Sequence, residues 1–86
     1  MTREDICSRV LAIFAEKFEI ENPGLDDDLR EVHEFDSIDA IELLREIEIM
    51  LGSALTQDEK KAAMDIRTIN DILDYVLRMA AVRSAN

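Results

Sequence analysis

Eighty-six residues carry 20 acidic and 10 basic side chains, a formal net charge of -10. That length permits one modest core, so the chain reads as a single domain over 1–86. That charge argues against nucleic-acid binding and against attraction to anionic membranes, both of which need a basic face. 

Thr2 is placed to cap a first helix, with Asp5 three positions on. Ile6, Val10, Phe14 and Phe18 recur every four residues, and Leu11 and Ile13 broaden the stripe, which predicts a helix from about Arg3 to Phe18. Acids lead this helix and Lys17 trails, in the sense that the macrodipole favours. Cys7, the sole cysteine, excludes an internal disulfide and reads as a small core or boundary residue. Aromatic residues are few, three Phe and one Tyr with no Trp, so Leu, Ile, Val, Met and Ala must supply most of the core.

Asn22-Pro23-Gly24 then breaks the pattern as a turn. The segment from Glu19 to Phe35 is long for a connection in a small domain. Leu25, Leu29, Val32 and Phe35 are spaced to lie over the bundle and cover it, with a short helical turn near Asp27 to Glu31. Asp26-Asp27-Asp28 invites a calcium reading, but an EF-hand loop needs Gly at its sixth position and Glu at its twelfth. Counting from Asp26 gives Glu31 and Ser37, and from Asp28 gives His33 and Asp39, so both registers fail. His33 has no Cys or second His nearby for a zinc site and reads as a surface histidine.

Asp36 is a good N-cap residue, and Asp39 stands three positions later, where a carboxylate reaches back to backbone N–H groups. Ser37 falls in the first turn, its hydroxyl next to unpaired amides, a setting that favours a phosphate. The second helix is predicted over Ser37 to Leu51, ended by Gly52. At 100° per residue, Ala40, Leu43, Leu44, Ile47, Met50 and Leu51 share one face. Ile38, Ile41 and Ile49 fall away from it, among Glu42, Arg45 and Glu48, as a docking face. Thr56-Gln57-Asp58-Glu59 opens a short helix to about Met64, with Leu55 anchoring the loop before it. Thr68 to Asp71 opens the last helix, in which Ile69, Ile72, Leu73, Val76, Leu77 and Ala80 form an unbroken apolar series. Ser84-Ala85-Asn86 is expected to fray.

No segment alternates as a strand. The predicted fold is all-α, a small bundle of three longer helices and one short one with a long first loop. No apolar run approaches signal-peptide or transmembrane length, so a cytoplasmic monomer without stable membrane insertion is expected. From Glu19 to Glu59 fourteen acids face only Arg30 and Arg45. The acidity is therefore concentrated around Ser37 and suits partners with basic patches, found by electrostatic steering.

Asp36-Ser37-Ile38-Asp39-x-Ile41-Glu42-Leu43 closely resembles the Asp-Ser-Leu-Asp-x-Val-Glu-Leu motif of acyl carrier proteins. The resemblance implies a 4′-phosphopantetheine arm from coenzyme A on Ser37, joined through a phosphodiester, whose thiol holds an acyl group as a thioester. It implies a carrier and not an enzyme, with a phosphopantetheinyl transferase and acyl-transferring and acyl-modifying enzymes as partners. In that family the positions of Ile38 and Ile41 are apolar contacts for partners, and those of Asp36, Asp39, Glu42 and Glu48 are acidic contacts. No metal site is implied.

The chain departs from the fatty-acid carriers at Glu34-Phe35, where Gly followed by Leu or Ala is usual. That suggests a different loop path, with Phe35 as a bulky cover. Arg45 replaces a common Met, and the stretch from Leu55 to Ile69 is longer than usual. A dedicated carrier for one branch of lipid, polyketide or secondary-metabolite synthesis fits better than the general fatty-acid carrier. Aminoacyl and peptidyl carriers, with Gly-Gly-x-Ser or Asp-Ser-Met, fit the motif less well. A plain acidic interaction module without an arm is the other alternative. The chain has no Gly-x-Ser-x-Gly elbow, which argues against a serine hydrolase.

Overall fold

The computed structural model describes residues 2–84. Helix α1 spans Arg3–Lys17, with the Thr2 hydroxyl accepting the Asp5 amide at 3.1 Å. Its four-residue stripe buries Ile6, Val10 and Phe14 completely. Short α2, Leu29–His33, is capped by Asp28, whose carboxylate takes the Arg30 and Glu31 amides. It lies two residues later than the expected turn, because the carboxylate of Asp28, not Asp27, supplies the cap. Helix α3 spans Ser37–Leu51 and ends on Gly52, which adopts the left-handed conformation at φ 73 that glycine tolerates best. Thr56 and Glu59 close a capping box on α4, Gln57–Ala62, and a 3-10 turn, Ala63–Asp65, follows directly. Thr68 and Asp71 exchange hydrogen bonds in the same way at the start of α5, Ile69–Ser84. Ser84 is helical, while Ala85 and Asn86 of the predicted fraying end lie outside the described residues.

Both α1 and α3 pack on α5, so the bundle is built around the last helix, the most regularly apolar one. There Ile69, Ile72, Leu73, Tyr75 and Val76 are fully or almost fully buried. The Tyr75 hydroxyl donates to the Glu59 carbonyl at 2.7 Å and so ties α4 to α5. Leu55 is 5% exposed and anchors its loop as expected.

The long first loop is held down differently from the expectation. Leu29 and Phe35 are buried, but Leu25 and Val32 are 41% and 58% exposed. Polar bonds replace them. The Leu29 amide donates to the Arg67 carbonyl, the Asn70 amide to the Leu25 carbonyl, and the Asn70 side chain to Asp26 at 2.7 Å. A Cβ at Gly24 would fall 2.6 Å from Asp27 Oδ1, so the Asp27 carboxylate would have to shift to admit one. The Gly24 amide donates to Asp27 Oδ2.

Candidate functional site

The Asp36 carboxylate accepts the Ile38 and Asp39 amides, both at 3.0 Å, and Asp39 accepts the Asp36 amide at 3.1 Å. This reciprocal box fixes the first turn of α3 and leaves Ser37 pointing out. The Ser37 side chain is exposed, and its hydroxyl has no hydrogen-bond partner among the described residues. One expectation needs correction. The box consumes the amides that were to hold a phosphate, so only the Ser37 N–H remains unpaired in the first turn. The Asp36 carboxylate already occupies the anion-favouring end of the helix.

The path into this serine runs through Glu34, the C-cap of α2, at φ 55 and ψ 31. That is the left-handed conformation a glycine would favour. A residue with a full side chain therefore holds this turn, and Glu34 carries the strain. Phe35 then turns inward, 6% exposed, and joins Phe14 and Phe18 in a three-ring cluster with centroids 5.0 to 5.4 Å apart. All three Phe of the chain thus meet in one cluster, which Phe35 joins two residues before the serine.

In front of that cluster lies a cavity of about 280 Å³. Ser37 stands on its wall, with Phe35, Ala40, Leu43 and Leu44 on one side and Ala63, Met64 and Ile66 on the other. The cavity was not legible in the sequence, because its far wall comes from the 3-10 turn and the segment after it. Ile41 and Met64, which line it, are 60% and 76% exposed, and Ile38, next to Ser37 in the first turn of α3, is 75% exposed. Ile49, also exposed, is at the opposite end of α3.

The acids predicted as contacts are not equivalent. Asp36 and Asp39 belong to the cap. Glu48 takes the Leu55 amide at 2.8 Å and shapes the loop after α3. Glu42 alone among them has no partner within the described residues. His33 is half-buried, not a free surface residue, because its Nε2 lies 3.1 Å from Asp27 Oδ2. That contact and the Gly24 amide hold the Asp27 carboxyl below its ordinary value. The three consecutive aspartates each serve a separate structural role, and no group of three or more metal-ligating side chains forms among the described residues. No helix of the described residues is long and apolar enough to cross a membrane.

A phosphopantetheine attachment site family model matches residues 8–76. The "Acyl carrier protein 2" of Ralstonia nicotianae is 31% identical over 83 residues, 94% of this chain and 99% of the relative. The "Acyl carrier protein" of Lactobacillus johnsonii is 27% identical over 78 residues, 88% of this chain and 94% of the relative. No solved structure gives a significant match.

Proposed function

The chain belongs to the phosphopantetheine-attachment family of acyl carrier proteins, and on that premise we propose that Ser37 is its attachment residue. It is a carrier and not an enzyme, and its cofactor is covalent 4′-phosphopantetheine. The bound arm supplies a thiol on which an acyl group is held as a thioester. The observation that carries the assignment is the Ser37 hydroxyl, exposed, unpartnered and beside an apolar cavity, within the Asp-Ser-x-Asp motif. Among the other serines, Ser53 is engaged by Arg83, and Ser8 and Ser84 lie within α1 and at the end of α5, neither of them lining that cavity.

The roles of the chain's own residues follow. Asp36 and Asp39 fix the turn so that the hydroxyl is presented at one angle. The cavity walls give partial shelter to an apolar acyl chain, which favours acyl over aminoacyl cargo. Ile38 and Ile41 offer apolar contact to docked partners, and Glu42 leads the acidic field that draws basic patches. The partners are a phosphopantetheinyl transferase and the acyl-handling enzymes of one dedicated lipid, fatty-acid or polyketide-type pathway.

Wild type and Ser37→Ala, each incubated with coenzyme A and a transferase and then weighed intact, test the assignment. The wild type should gain one arm and the variant none. Its stability should move by no more than about 0.5 kcal/mol, as for exposed substitutions generally. Modification of the variant at any other serine, Ser8, Ser53 or Ser84, would sink the assignment.

A further inference from the structure

We propose that the cavity beside Ser37 is built for an acyl chain that ends in a carboxylate. The proposal rests on the carrier reading and narrows it to a class of cargo. The chain has two acids for every base, so an arbitrary patch of its surface should be acidic. The cavity inverts that balance. Arg30, Lys60 and Arg67 line it, and no carboxylate does.

The three cations arrive from separate places. Arg30 is on α2, Lys60 is on α4, and Arg67 lies between the 3-10 turn and α5. None of their side chains has a hydrogen bond or ion pair among the described residues, whereas Arg3 pairs with Asp74 and Arg83 with Glu59. Below them the walls are apolar, from Leu29, Leu43, Leu44 and Ile66.

An apolar floor under a cationic rim has a definite complement. The methylenes of a cargo lose water against the floor. A carboxylate buried there without a partner would be costly, but at the rim it meets arginine forks and an ammonium, which match its geometry and charge. At about 280 Å³ the cavity is at the small end for ligand sites, which points to a short or medium chain. Long cationic stems also cover apolar surface without recognising anything. Cations that only cover the surface would not distinguish two cargoes that differ solely in a terminal carboxylate. The phosphodiester of the arm is common to both cargoes and cancels in the comparison.

The test loads wild type and the triple variant Arg30→Gln/Lys60→Gln/Arg67→Gln with hexanoyl or adipoyl arms from the corresponding coenzyme A thioesters. Intact mass reports loading. Amide NMR shifts around Leu43, Ala63 and Ile66 report cavity occupancy, and thioester lifetime reports shelter, normalised to the free N-acetylcysteamine thioester. In wild type the adipoyl form should perturb the rim and floor amides more and hydrolyse roughly fivefold more slowly than the hexanoyl form, the scale of partly exposed ion pairs. The triple variant should erase that difference while leaving the hexanoyl form unchanged. Equal behaviour of the two cargoes in wild type, or a preference that survives in the variant, overturns the proposal. Failure to load either arm would instead count against the Ser37 assignment. In that case the free hexanoyl and adipoyl N-acetylcysteamine thioesters, titrated into the unmodified protein, still decide the cavity's preference, with equal or weaker shifts from adipoyl overturning it.

Discussion

Glu34 holds a left-handed conformation with a full side chain, and its amide still donates to the Leu29 carbonyl. Such a residue is strained by about 1–2 kcal/mol relative to its usual regions. Glycine there would relieve the strain but lose more backbone freedom on folding. The balance predicts that Glu34→Gly raises stability by up to about 1 kcal/mol, with the denaturant midpoint moving and the slope constant. A lower midpoint would show that the Glu34 side chain does something the conformation does not reveal. At this scale the cap residues were legible because capping is local, and Asp36 and Asp39 lie within three positions of the amides they satisfy. The consequence of the cap was harder to read. A carboxylate that satisfies two amides also removes them from a phosphate, and that competition shows only once the hydrogen bonds are known.

Among the elements, α3 presents two faces that should fail unequally. Leu43 is 2% exposed and Ile41 60%. Leu43→Ala should cost about 2–5 kcal/mol through lost burial and a cavity, and Ile41→Ala much less. Equal losses in denaturant midpoint would mean that the faces are misassigned. A second device joins α4 to the end of α5. Arg83 meets both Glu59 oxygens, at 2.9 and 3.0 Å, and also reaches the Ala54 carbonyl and the Ser53 hydroxyl. The guanidinium, followed by the Thr56 amide, lowers the Glu59 pKa from 4.5 to about 2. The unfolded chain therefore binds this proton first on acidification. The stabilisation is present above pH 4.5 and lost as the pH falls towards about 2. The melting-temperature difference between wild type and Glu59→Gln should shrink across that window, and a constant difference would exclude the linkage. The helices were legible because apolar period and cap residues agree. The anchoring of the long loop was not, since Asp26 and Asn70 are 44 positions apart and neither is apolar. A rule that looks for apolar anchors instead selected Leu25 and Val32, which remain exposed.

Glu42 shares the N-terminal half of α3 with exposed Ile38 and Ile41, and charge and apolar contact should act at different stages of docking. Exposed charges raise encounter rates and are screened over about 8 Å at physiological salt. Apolar side chains act only after contact, by losing water. The choice of variant matters, because the acids are not equivalent. Asp39→Lys would also break the helix cap, and Glu48→Lys the bond to Leu55. Glu42→Lys changes charge without removing an internal bond, so it isolates the field. It should slow association with a phosphopantetheinyl transferase, and added salt should narrow the gap from wild type. Ile41→Ala should instead speed dissociation and keep the wild-type salt dependence. Stopped-flow association and dissociation at low and high ionic strength separate the two. If Glu42→Lys associates as fast as wild type at low salt, the acidic field plays no part in recognition. Recognition would then rest on the exposed apolar side chains of Ile38, Ile41 and Met64.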